Sequence, residues 1–142
     1  MYLDQLITYA DDIISRKNLA CRSEILACKR FKKDLNRVNT ENFPYVFDES
    51  RAARIIEWFG YCYHVRGILA GKPIELQPWQ MFDLGNIFGW VHPITGKRRF
   101  KTAYIRIARG NTKSTMMSGI ALYGLCADVL YPYNEPKKAV WE

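Results

Sequence analysis

Apolar residues recur at three- and four-residue intervals through the first part of the chain. Leu3, Leu6, Ile7, Ala10, Ile13 and Ile14 share one stripe, with acids and lysine elsewhere, which predicts an amphipathic helix over 1–17. A second helix is predicted from about Ser23 to Val38. Its apolar side is Ile25, Leu26, Phe31, Leu35 and Val38, and its other side carries Lys29, Arg30, Lys32, Lys33 and Arg37. Asn39 to Phe47 is a polar, proline-containing connection. Asp48 then reads as the N-cap of a third helix to about Arg66, in which Ala52, Ile55, Ile56, Phe59, Tyr63 and Arg66 repeat at three and four. Gly67 to Pro73 ends it, with Gly71-Lys72-Pro73 as the turn. Pro78 suits the first position of a short helix that carries Trp79, Phe82, Ile87 and Phe88 inward. Residues 92–97 read as a further turn.

After the charged run from Lys97 to Lys101 the pattern changes. Ala103-Tyr104-Ile105-Arg106-Ile107-Ala108 clusters apolar and β-branched residues and predicts a strand. Arg109-Gly110-Asn111-Thr112 follows as a tight polar loop. Lys113 and Ser114 open a helix with Met117, Ile120, Ala121 and Leu125 along one face. Tyr131 to Pro136 is a loop, and Lys138-Ala139-Val140-Trp141 opens another strand. The predicted fold class is α/β: a helical N-terminal region over 1–72, then over 73–142 the first part of a P-loop NTPase domain, its β-loop-α unit begun and its sheet incomplete. Exposed apolar surface is expected where further strands would pair. The helix after Lys113 would then pack on the N-terminal helices in place of a sheet.

Charge narrows the function classes. A length of 142 residues gives one domain's worth of core, and 49% hydrophobic content with 14% aromatic excludes a mostly disordered chain. A net charge of +7 fits a nucleic-acid or nucleotide partner and fits a merely soluble surface equally. The basic side of the second helix has the same two readings, a phosphate-tracking patch or a solvated face. No apolar run reaches membrane-spanning length, and Asp4, Asp11 and Asp12 stand where a secretory signal would be basic. Cys21, Cys28, Cys62 and Cys126 form no C-x-x-C pair and read as reduced residues in apolar settings. His64 and His92 are isolated and suggest no metal site.

The chemistry is concentrated at Lys113-Ser114. Lys-Ser between a strand and a helix is the phosphate-binding arrangement of a P-loop: backbone N–H groups and the positive helix end surround an anion, lysine neutralises phosphate, and the hydroxyl ligates Mg²⁺. The full G-x-x-x-x-G-K-[ST] pattern would place glycine at 107 and 112, where this chain has Ile107 and Thr112. A β-branched residue before the lysine is awkward, above all if the position needs positive φ. The alternative is an ordinary basic turn with a capped helix. Gln80, on the first turn of its helix, carries an amide able to address an adenine edge; taken singly, a glutamine there is more often a surface or capping residue.

L-x-P-W-Q, followed about thirty residues later by strand-A-R-G-N-x-K-S-T-helix, resembles the large terminase subunits of tailed bacteriophages, ATP-driven motors that package DNA into proheads. The likeness runs from Phe43 to Trp141 through FPYVFDES, AGKPIELQPWQMF, FGWVHPITGKRRFKTAYIRIARGNTKST and GIALYGLCAD. It implies ATP and Mg²⁺ as cofactors, double-stranded DNA, a small terminase subunit and a portal protein as partners, and the host bacterial cytoplasm as location. By the same resemblance, Gln80 recognises adenine, Lys113 holds phosphate, Ser114 ligates Mg²⁺, and Arg109 senses or stabilises the γ-phosphate. Gly110, Asn111, Thr112 and Thr115 complete the nucleotide-binding loop, with Lys113 and Arg109 as the catalytic pair. Phosphoryl transfer also needs carboxylates for metal and water. After Lys113 come Asp128, Glu135 and Glu142, none closing a four-residue apolar strand, so a truncated or decayed motor without hydrolysis of its own is expected. The competing reading is a non-enzymatic basic helical module that binds DNA or a phage protein.

Overall fold

The computed structural model describes residues 1–108, 110 and 112–128; the predictions for Arg109, Asn111 and everything after Asp128 fall outside them. In chain order the elements are α1 (Tyr2–Ile14), α2 (Arg22–Arg37), β1 (Val46–Phe47), α3 (Glu49–Gly60), α4 (Pro78–Gly89), β2 (Trp90–Val91) and α5 (Lys113–Cys126). The first four predicted helices are all present. Asp48 caps α3 by accepting the Arg51 N–H, and Pro78 stands at the first position of α4.

α4 is the central element because it is apolar on more than one side. Phe82 enters a cluster with Leu6, Ala10, Ile13, Cys28, Phe31, Phe43 and Trp90, which joins α1, α2 and β2. Leu84 and Phe88 enter a second cluster with Ile55, Ile56, Phe59, Met116 and Tyr123, which joins α3 and α5. Phe31 stands edge-on to Phe47, Phe82 and Trp90, its ring centroids 5.7, 5.3 and 6.3 Å from theirs. Full burial of side chains this large stabilises by about 1.5–3 kcal/mol each. Gly85 lets α1 approach: a Cβ there would lie 2.7 Å from a Leu6 methyl.

Several predictions of local structure are corrected. α3 stops at Gly60, not Arg66, because the backbone beyond it pairs elsewhere: His64 N donates to Lys72 O and Ile74 N to Cys62 O, at 2.9 and 2.8 Å. Leu26 is exposed, while Cys28, Phe31 and Asp34 are the buried positions of α2. Of the cysteines, Cys28 is buried, Cys62 half-buried, and Cys21 and Cys126 exposed. β1 and β2 pair antiparallel, Val46 with Val91 and Phe47 with Trp90, a ladder too short to leave a period in the sequence.

The largest correction is at 103–108, where no strand forms. The β-type alternation is real, since Ile105 and Ile107 are half-buried while Tyr104, Arg106 and Ala108 are exposed. What is missing, among the described residues, is a neighbouring strand to complete a ladder. The sheet of the described residues is therefore the small β1–β2 pair, and together with five helices it makes their architecture a mixed helix–strand one.

α5 does begin at Lys113, but it buries a different face from the predicted one. Met116, Gly119 and Tyr123 are buried, whereas Met117 and Leu125 are exposed. It docks on α3, where Trp58 Nε1 donates to Gly119 O at 3.0 Å. A Cβ on Gly119 would lie 2.4 Å from a ring carbon of the buried Phe59. Gly119→Val is expected to cost about 1–3 kcal/mol through this overlap, against a propensity gain of a few tenths. Gly124, with nothing within 4 Å of such a Cβ, is the control: Gly124→Ala should stabilise by up to about 1 kcal/mol. Thermal melts followed by tryptophan fluorescence separate the two outcomes.

Candidate functional site

The amino end of α5 and the first turn of α4 meet across 32 residues of sequence. Gln80, at the third position of α4, is 4% exposed. Its Oε1 accepts the backbone N–H of Gln77 at 2.8 Å, capping α4. Its Nε2 donates to Thr112 Oγ1 at 3.0 Å. Gln80 thus caps α4 and at the same time faces the loop that precedes Lys113.

Thr112 has φ 51° and ψ 16°, the left-handed region, and Gly110 has φ 92°. The awkwardness expected of a β-branched residue before the lysine is therefore present, at about 1–2 kcal/mol relative to ordinary backbone. Thr112 O accepts the Met116 N–H at 2.9 Å and so starts the helix. The first N–H groups of α5 have no carbonyl within the helix to pair with, and they carry its positive end. Lys113 and Ser114 are exposed on that first turn, and Thr115 is half-buried. Gln80, Gly110, Thr112, Lys113, Ser114 and Thr115 are thus gathered at two adjoining helix starts.

Asp128 does not join them. Its backbone N–H donates to Tyr123 O at 2.8 Å, so it lies at the far end of α5, about 20 Å along the axis from Ser114. Its carboxylate pairs with Arg98 at 3.2 Å. Burial raises the Asp128 pKa, and Arg98, Arg51 and Arg54 oppose that rise. These groups line a cleft of about 400 Å³ with Asp48, Ser50 and Tyr123. The Arg98–Asp128 pair ties the segment after β2 to the end of α5, a contact that no spacing in the sequence announced.

A cleft of about 750 Å³ runs between 100–107 and α5. Lys113 stands on its wall, but Phe88, Ile105, Ile107, Met116, Met117 and Ile120 make it mostly apolar, and Gln80 and Thr112 do not line it. It suits packing against an apolar neighbour better than holding a triphosphate.

The basic side of α2 is largely engaged within the protein. Lys32 pairs with Asp11 at 3.0 Å, Arg37 lies 3.6 Å from Asp34, and Arg30 stands 5.0 Å over the Phe100 ring. Lys29 and Lys33 remain exposed. Among the described residues, no three of His, Cys, Asp and Glu gather as metal ligands, and no helix is long and apolar enough to cross a membrane.

Among the described residues, five helices and a two-stranded ladder, with two helix starts adjoining, define a mixed helix–strand architecture. Residues 78–140 of the chain match the family model for the terminase large subunit, ATPase domain. The matched stretch takes in Pro78-Trp79-Gln80 and A-R-G-N-x-K-S-T, so the terminase resemblance holds there, and that domain family points to nucleotide binding. No curated protein and no solved structure gives a significant match.

Proposed function

We propose that this chain carries the ATP-binding face of a phage DNA-packaging motor, and that its described residues bind nucleotide without hydrolysing it. The supporting observation is the 3.0 Å contact that brings Gln80 beside Thr112, one residue ahead of Lys113, within the span that matches the terminase ATPase domain. In this reading the exposed Lys113 ammonium neutralises the outer phosphates. Backbone N–H groups of Lys113, Ser114 and Thr115 donate to phosphate oxygens, and Gly110 and Asn111 shape the loop around them. Ser114 Oγ would hold Mg²⁺, which supplies charge neutralisation between phosphates. Arg109 is assigned to the γ-phosphate by position in the sequence. Double-stranded DNA, a small terminase subunit, a portal protein and the bacterial host cytoplasm belong to the same proposal. Turnover does not, because the described acid that follows the loop, Asp128, is paired to Arg98 at the opposite end of α5.

Titration with MgATP, followed by fluorescence of the half-buried Trp79 and by equilibrium dialysis, tests the reading. Lys113→Ala is expected to weaken binding by about 10- to 100-fold, the loss of a charge-assisted contact worth about 1.5–3 kcal/mol. Lys29→Ala, on the exposed side of α2, should leave it unchanged. Equal binding by wild type and Lys113→Ala would remove the phosphate site.

A further inference from the structure

We infer that Thr112 controls base recognition by holding the Gln80 carboxamide away from the base; this rests on the nucleotide-binding reading above. A carboxamide reads adenine with both its ends, the oxygen accepting from N6 and the nitrogen donating to N7. In this chain one lone pair of the oxygen and one N–H of the nitrogen are already engaged, and burial leaves the remaining lone pair and N–H little access to a base. Gln80 Oε1 accepts from Gln77 N at 2.8 Å and Nε2 donates to Thr112 Oγ1 at 3.0 Å, in a side chain 4% exposed. Turning Gln80 toward a base breaks the second bond and uncovers a buried N–H unless the base replaces it. A residue without a hydroxyl at 112 would not compete. Thr112 occupies a backbone region that glycine adopts freely, so its hydroxyl is the feature that glycine would not bring. Phosphate binding is left intact by this contact, while discrimination between bases is weakened.

The experiment uses the full chain as wild type, Thr112→Val and Thr112→Ser. Valine keeps the shape and β-branching while removing the hydroxyl, and serine keeps the hydroxyl. Because Thr112 is exposed, neither change disturbs the core. Each protein is titrated with inorganic tripolyphosphate, ATP and GTP in the presence of Mg²⁺. Wild type and Thr112→Ser are expected to bind ATP and GTP within about threefold of each other, whereas Thr112→Val favours ATP by a further three- to tenfold, the range of one neutral hydrogen bond. Tripolyphosphate affinity is measured in each variant as the reference, and the ATP-to-GTP ratio is read within one variant, so a change in phosphate affinity at 112 cancels. In ¹⁵N spectra, the Gln80 side-chain amide should shift in Thr112→Val and not in Thr112→Ser. Tripolyphosphate binding with an ATP-to-GTP ratio unmoved by Thr112→Val overturns this inference alone. Failure of every variant to bind tripolyphosphate or nucleotide overturns it together with the function on which it rests.

Discussion

Replacing Arg99 with methionine is expected to lower the unfolding free energy by about 3–5 kcal/mol, because it strips a buried carboxylate of its main partner. Asp34, on the inward face of α2, is 2% exposed. Its Oδ2 accepts from Arg99 Nη1 at 2.5 Å, while Arg37 reaches Oδ1 at only 3.6 Å. The Arg99 guanidinium is itself enclosed by aromatic rings, 4.8 Å from Phe43, 5.6 Å from Tyr45, 5.8 Å from Trp90 and 4.9 Å from Phe100. Its backbone N–H donates to Trp90 O at 2.9 Å, fixing the stem. Arg99→Lys keeps the charge but loses the planar fork and the stacking, so an intermediate loss is expected. The double variant Arg99→Met, Asp34→Leu should recover much of the deficit, since removing both charges leaves neither one buried alone. Urea denaturation of the three variants checks the series. A loss below about 1 kcal/mol for Arg99→Met would show that the pair is no more than a solvated surface bridge.

Arg99 also shows what the sequence concealed. It sits in the run from Lys97 to Lys101, which reads as a solvated charged turn, and nothing local indicates that one of these cations points inward to a residue 65 positions earlier. Asp34 was equally hidden among the basic residues of α2. The helices themselves were legible, because a 3.6-residue period and the Asp48 and Pro78 signals are local properties of the chain. α5 was legible in its start and not in its face: Met116, Met117, Ile120, Leu122, Tyr123 and Leu125 surround it, so periodicity could not choose among sides. The segment 103–108 has the alternation of a strand, but a strand exists only where another backbone completes its hydrogen bonds, and alternation says nothing of that. The site was legible as two separate pieces, Gln80 and the residues from Gly110 to Thr115. Their meeting was not, and neither was the hydrogen bond from Gln80 Nε2 to Thr112 that joins them.

The second large effect is a pH dependence seated on α4. Asp83 is held well above the ordinary carboxylate range, at about 7, first by burial and then by the nearby Glu24. The same surroundings push the Cys28 thiol up to about 12, again chiefly through burial, with Glu24 and Asp83 adding to it. Glu24 is fixed in place by the Tyr9 hydroxyl, which donates to it. Between about pH 4 and pH 7 the unfolded chain has released the Asp83 proton and the folded chain still holds it. The folded state therefore binds more protons than the unfolded one, and stability from this group falls as pH rises through that window. A shift from 3.8 to about 7 corresponds to at most about 4 kcal/mol, fully lost above pH 7. Asp83→Asn, which cannot ionise, should match the wild type at pH 4 and exceed it by a few kcal/mol at pH 8. Glu24→Gln should move the wild-type midpoint down without abolishing it, because burial is the larger cause. Urea unfolding measured at intervals from pH 4 to pH 8 reads the difference between wild type and Asp83→Asn, which cancels the titration of every other carboxylate. A difference that stays flat across that range would place Asp83 in water, ionised in both states.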